Sequence, residues 1–166
     1  MKKVVILLFL LTFLVINYKH NEIIIPDDAI RMRIISSDNS LNATKTKLQV
    51  KNSLEEYLNS LMVKSHSQSE AYKILNDNLT NISNKIGNIT NDFEISLGKN
   101  YFPEKVYNGV TYKSGYYDSL VITLGNGTGK NFWCVMYPPL CLIDSKESQN
   151  VNYKFLLKEV LEKYKA

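Results

Sequence analysis

The sequence predicts an α+β domain: a mostly antiparallel sheet with a helical hairpin and a C-terminal helix packed on it. Three observations carry that expectation. Apolar and polar residues alternate over residues 30–35 and again in several segments after Asp92, which is the period of a strand. Between these, apolar residues recur at steps of three and four, the period of one helix face. A further apolar stripe at helical spacing closes the chain. Strands grouped apart from helices, rather than alternating with them, favour α+β over a parallel sheet with crossover helices.

The elements follow in order. Lys2 and Lys3 precede an apolar run from Val4 to Ile16. Two charges followed by a short apolar stretch read as an export segment, and the run is shorter than the roughly 20 residues of a spanning helix. Asn17 to His20 offers no small-residue cleavage site, so residues 1–20 are expected to be a signal segment, cleaved or kept as an uncleaved anchor. No cysteine follows the run, which argues against a lipid anchor. Residues 21–29, punctuated by Pro26, are expected to link this segment to a single domain over 30–166. In residues 30–35, Ile30, Met32 and Ile34 share one strand face and Arg31 and Arg33 the other.

A helix is expected over 42–63, where Val50, Leu54, Tyr57, Leu58 and Leu61 make one stripe. Ser67 followed by Glu70 fits a capping box, a hydroxyl and a carboxylate each satisfying a free backbone N–H. A single helix should follow, with Ala71, Leu75, Leu79, Ile82 and Ile86 inward and Gly87 as its C-terminal glycine. Phe93, Ile95 and Leu97 alternate as a strand. Asn108-Gly109 is a two-residue hairpin turn between residues 105 and 112. Leu120, Ile122 and Leu124 mark a strand over 117–124. Residues 131–137 are apolar on both faces, which suits a central strand, and 151–164 carry the last helical stripe.

The chain has 166 residues and a formal charge of +4, of which Lys2 and Lys3 contribute two. The remaining lysines are dispersed, so no basic footprint for nucleic acid stands out. Gly125, Gly127 and Gly129 resemble a phosphate loop only superficially. Such a loop opens a helix, whose free N–H groups hold the phosphate, whereas these glycines run into the strand at 131. They read as a glycine-rich hairpin connection. Cys134 and Cys141 are two ligands where a structural zinc site needs four. The two histidines, His20 and His66, are remote in sequence. Two readings of the cysteines stand: a disulfide clipping the Pro138-Pro139 bend, or two buried thiols packing as small apolar groups. No base is placed to make a thiolate nucleophile, and no carboxylate pair suggests acid–base work. No catalytic residue, metal or cofactor is expected. The aromatic residues Tyr112, Tyr116, Tyr117, Phe132, Trp133 and Tyr137 gather around the last strands and read either as core packing or as a contact surface. In the second reading Tyr117, Phe132, Trp133 and Tyr137, with Pro138, Pro139, Arg31 and Arg33, are the candidate contact residues for a protein partner, because exposed aromatic and arginine side chains make strong binding anchors.

One segment is specific enough to resemble a known family. Gly125, Gly127, Gly129, Asn131, Trp133, Cys134, Val135, Pro138, Pro139, Leu140, Cys141 and Asp144 together look like the signature of stage II sporulation protein R. Residues 30–35 resemble that family's opening strand. Tyr101-Phe102-Pro103-Glu104-Lys105 with Tyr107 resembles its middle motif, and Gly115, Tyr117, Asp118, Ser119 and Leu120 resemble a further strand. The chain departs from the pattern at Phe132, Ala43-Thr44 and Lys113-Ser114, as in a divergent clostridial-type member.

The resemblance implies an exported developmental signal of endospore formation, not an enzyme. It would be secreted from the forespore into the space between forespore and mother-cell membranes. It would be needed there to activate a membrane-embedded aspartic-type protease that processes pro-sigma E, its partner. Membrane association would run through the N-terminal segment. The competing expectations from the residues alone are an exported cell-wall-associated hydrolase and a membrane-anchored scaffold.

Overall fold

The computed structural model describes residues 23–107, 110–140 and 159–164. It holds two sheets. Strands β1 (Ile23–Ile24), β4 (Lys105–Tyr107) and β5 (Val110–Tyr112) form a small one in the order β1-β5-β4. Strands β2 (Ile30–Ile35), β3 (Phe93–Phe102), β6 (Gly115–Leu124) and β7 (Asn131–Tyr137) form a larger one in the order β3-β6-β2-β7. The β3–β6 and β2–β7 pairs are antiparallel and the β2–β6 pair is parallel. Helices α1 (Leu41–Met62), α2 (Gln68–Asp77) and α3 (Leu79–Gly87) pack on one face of this sheet, and residues 159–163 are the described part of the C-terminal helix. The α+β class, the mostly antiparallel sheet and the C-terminal helix agree with the sequence expectation.

The periods place the core. Ile30, Met32 and Ile34 of β2 and Leu120, Ile122 and Leu124 of β6 point to the helices, where they meet Val50, Leu54, Leu58 and Met62 of α1, Leu75 of α2, and Ile82 and Ile86 of α3. Each such side chain contributes about 1.5–3 kcal/mol by leaving water. A second cluster of Ile25, Ala29, Val110, Val135 and Leu140 joins the small sheet to the other side of β7, with Val160 and Leu161 packed against it.

The helix starts match their sequence signals. The Ser40 hydroxyl accepts from the Ala43 N–H at 3.1 Å at the start of α1. The Ser67 hydroxyl accepts from the Glu70 N–H at 3.2 Å, while the Glu70 carboxylate accepts from the His66 N–H at 2.8 Å rather than from Ser67. The box therefore closes one residue early.

Five expectations are corrected. The helix expected from Ala71 to Ile86 is two helices, broken at Asn78 (φ −106°, ψ 6°). The Asn78 side chain donates to the Ile74 carbonyl at 2.8 Å and accepts from the Tyr57 hydroxyl at 2.8 Å, and this local bonding competes with the helix ladder. Gly87 is the last residue of α3, not a left-handed stop, and Asn88 caps the helix at φ −70°. Residues 23–29 are built into the domain rather than linking to it: β1 runs parallel to β5, and Ile25 and Ala29 are buried. Among the described residues β7 stands at the end of the sheet order, beside β2 alone, where the sequence suggested a central strand. Its two faces are apolar because the helices cover one and the second cluster the other.

The fifth correction concerns the glycines. They do not close a hairpin, because β2 lies between β6 and β7. Parallel pairing puts the ends of β2 and β6 side by side, so the chain must step over the exit of β2 to begin β7. Gly125 (φ +51°) and Gly127 (φ +63°) supply left-handed turns, and Gly129 crosses against the carbonyl of Asp38. The crossing is fastened by Thr128 N–H to Ser37 O at 3.1 Å, Gly129 N–H to Ser36 O at 2.9 Å, and Lys130 N–H to Asn39 Oδ1 at 3.0 Å. The Lys47 ammonium of α1 donates to Lys130 O at 2.7 Å. Strands β4 and β5 pair with Tyr107 opposite Val110, as a two-residue hairpin requires, and Asn108 and Gly109 themselves lie outside the described residues.

Candidate functional site: an arginine and aromatic face

The crossover fixes what the other face of the larger sheet presents. With Ile30, Met32 and Ile34 turned to the helices, the strand period sends Arg31 and Arg33 the opposite way. Register then places Ser119 and Val135 beside Arg31, and Val121 and Trp133 beside Arg33. Tyr117 lies two residues before Ser119 on β6 and so shares its face. Phe102, at the end of β3, completes the group.

These side chains interleave. The Arg31 guanidinium lies 3.6 Å from the centre of the Tyr117 ring and 5.5 Å from that of Phe102. Phe102 meets Trp133 edge to face at 5.2 Å and Tyr117 at 6.1 Å. The Arg33 guanidinium lies 4.8 Å from the Trp133 ring. Cation–π contacts of this kind contribute about 0.5–2 kcal/mol each. Arg31 is only 3 % exposed, and burial lowers its pKa, an effect opposed by Tyr117, Tyr112 and Asp27. Burial also lowers that of Arg33. Guanidinium remains protonated at any physiological pH, so Arg31 is a buried positive charge.

Its hydrogen bonding is incomplete. Arg31 Nη2 donates to the Lys113 carbonyl at 3.2 Å, which also accepts from the Tyr117 hydroxyl at 3.1 Å. Among the described residues the Nε–H groups of Arg31 and Arg33 have no partner, and neither has Asn131 Oδ1. The ion pairs among the described residues involve only lysines, so neither arginine makes a direct ion pair there, although Asp27 lies close enough to Arg31 to favour its charge. Arg31 and Asn131 line a cleft of about 440 Å³ whose walls include Phe102, Tyr112, Trp133 and Lys105.

The candidate contact residues therefore separate. Arg31, Arg33, Tyr117 and Trp133 come together on the open face. Arg31 and Tyr117 are buried within it, Tyr117 at 4 % exposure, while Arg33 and Trp133 are half-buried. Phe132 and Tyr137 lie on the helix side: Phe132 packs against the main core, and Tyr137 is buried with its ring 5.5 Å from that of Tyr164. Burial raises the Tyr137 pKa. Pro138 is buried and Pro139 half-buried in the turn after β7, where Leu140 N–H donates to Pro138 O at 2.8 Å and Val135 O at 3.2 Å. Cys134 is buried on the helix side, and Cys141 lies outside the described residues. Phe102, Tyr112 and Asn131 join the site without having been singled out as contact residues: Phe102 and Asn131 stand in the family-like motifs, and Tyr112 among the aromatic residues near the last strands.

Among the described residues, no group of His, Cys, Asp and Glu is arranged to hold a metal ion, and no helix is long and apolar enough to cross a membrane. The arrangement can bind through stacked rings, two desolvated cations and unpaired polar atoms.

A family model for stage II sporulation protein R matches residues 26–147, from just before β2 to beyond the Pro138-Pro139 turn. The chain belongs to the stage II sporulation protein R family. It is 31 % identical over 140 residues to the stage II sporulation protein R of Bacillus subtilis (strain 168), covering 80 % of this chain. That alignment spans 62 % of the relative's length. No solved structure matches the chain. Membership makes this a sporulation stage II protein, and the matched region contains the whole arginine and aromatic face of this member of the stage II sporulation protein R family.

Proposed function

We propose that this protein is an exported signal of endospore formation. In this reading it passes from the forespore into the space between the two membranes, carried by residues 1–20. There it is needed to activate the membrane-embedded aspartic-type protease that processes pro-sigma E. It acts as a ligand and not as an enzyme. The observation that carries the reading is the family match over the stretch that builds the open face, with Trp133 and Arg33 half-buried upon it. Half-buried tryptophan and arginine on a preformed face are the usual anchors of a protein interface.

Deleting the gene should leave pro-sigma E unprocessed while forespore transcription continues, and a copy lacking residues 1–20 should fail to restore processing. Normal processing in the deletion strain would sink the proposal. Trp133→Ala in the full chain should weaken pull-down of the protease's membrane region by about tenfold or more, the scale of a hot-spot anchor, with little change in thermal unfolding. Unfolding in proportion to lost binding would return Trp133 to a packing role.

The same reading includes a disulfide between Cys134 and Cys141, which suits an oxidising compartment. It is supported by the burial of Cys134 beside the tight turn at 138–140. Alkylation of the denatured, unreduced full chain should add no label, and prior reduction should add two. Labelling without reduction would show free thiols.

A further inference from the structure

Two unsatisfied buried groups share the cleft beside β7. Among the described residues, Arg31 is a nearly inaccessible cation whose Nε–H has no acceptor, and Asn131 Oδ1 is a buried acceptor with no donor. Buried polar groups in folded proteins are almost always paired, and a buried charge with no counter-ion in direct contact costs far more than a neutral group. Asp27 acts on Arg31 through its charge, but no ion pair joins them. Of the residues lining the cleft, Arg31, Lys51 and Lys105 are cationic and none is acidic. Lys51 is already paired with Glu55 at 3.0 Å, which leaves Arg31 at the base and exposed Lys105 at the mouth. Aromatic walls from Phe102, Tyr112 and Trp133 exclude water and strengthen any charge pairing inside.

The spacing describes the ligand further. Asn131 and Val135 stand four residues apart on β7, and Val135 is the residue in register with Arg31. That is about 13 Å of extended chain, the reach of a short peptide rather than of a small anion. A guanidinium is the donor best matched to a carboxylate, and the bond it makes is charge-assisted.

We propose that this cleft is the recognition site for an extended peptide segment of the protein partner. A carboxylate of that segment pairs with Arg31, and one of its backbone N–H groups donates to Asn131. The inference rests on the ligand reading above and names what the open face takes hold of. The carboxylate belongs either to an Asp or Glu side chain or to a free C-terminus, and both present the same two oxygens.

The test uses the full chain in detergent and the emission of Trp133, the single tryptophan. Three probes are titrated: an end-blocked pentapeptide with a central glutamate among valines, its glutamine twin, and an all-valine pentapeptide with a free C-terminal carboxylate. The glutamate probe should change the emission saturably, with the glutamine twin weaker by about tenfold or more, the loss expected when a buried charged donor is left unpaired. A response to the all-valine probe instead assigns the terminal carboxylate. Arg31→Gln should erase the difference between the twins. Lys105→Gln, at an exposed position that folding does not need, should weaken the carboxylate probes several-fold and leave the glutamine twin unchanged. Binding of the glutamine twin as tight as that of the carboxylate probes, or no response to either carboxylate probe, overturns the carboxylate site. If Trp133→Ala still abolishes pull-down in that case, the open face remains the ligand face and only its proposed chemistry fails.

Discussion

Gly129→Ala is expected to destabilise the domain by about 3 kcal/mol or more, a large fraction of the roughly 5–15 kcal/mol that holds a typical domain folded. A Cβ there would overlap the carbonyl oxygen of Asp38 and come within 2.7 Å of the Ser36 Cβ. The first obstacle is backbone, which cannot swing aside as a flexible side chain can. Relief requires lifting the crossover from the exit of β2. That would break the bonds from Gly129 N–H to Ser36 O and from Thr128 N–H to Ser37 O, each contributing about 1 kcal/mol net. It would also loosen the entry to β7, which carries Trp133. Gly98→Ala is the control: its Cβ meets nothing within 4 Å and its backbone is ordinary strand. The midpoint of urea unfolding should fall sharply for the first variant and hold or rise slightly for the second. Equal midpoints would mean that the crossing is not close-packed.

The same loop shows where local sequence patterns stop being informative. Glycines at 125, 127 and 129 announce a chain that turns sharply, but positive φ serves a hairpin and a crossover alike. Which strand lies between β6 and β7 is a tertiary fact, set by the parallel pairing of β2 with β6. The alternation of β2 and β6 and the stripe of α1 were legible because each has one buried face and a long enough run to show its period. The break at Asn78 was hidden because Leu75, Leu79 and Ile82 stay in phase across it. Strand β1 has two residues, too few to show any period. For β7 two apolar faces do not by themselves imply a central strand, since a second layer of structure can bury a face as well as a helix can.

The site was legible in part for a similar reason. Trp133 stands out by composition, and Arg31 and Arg33 by being charged at strand spacing in an apolar segment. Their meeting with Tyr117 and Phe102 depends on the order β3-β6-β2-β7, which puts four distant stretches of chain side by side. Phe132 and Tyr137 were grouped with Trp133 because they are its neighbours in sequence. The strand period and the irregularity in pairing near Ile30 and Arg31 turn them to the helix side instead.

Arg31→Met is expected to separate stability from signalling more completely than any other single change. The desolvation of the guanidinium opposes folding by several kcal/mol. Asp27 offsets part of this through its charge, but no carboxylate among the described residues makes a direct ion pair with Arg31. In favour of the arginine are its contacts with the Tyr117 and Phe102 rings and one bond to the Lys113 carbonyl. Methionine has similar length, packs well against ring edges, and leaves no orphan, because the Lys113 carbonyl keeps the bond from the Tyr117 hydroxyl. Removing a buried unpaired cation for an apolar group of like volume is often neutral or stabilising, so the unfolding free energy should stay within about 1 kcal/mol of the native chain. Arg31→Ala should instead cost about 2–4 kcal/mol, since it empties the space between two rings. Both should abolish processing of pro-sigma E. A protein that folds as well as the native chain and signals nothing would assign Arg31 to the partner, whereas full signalling by Arg31→Met would make the arginine a spacer between Tyr117 and Phe102.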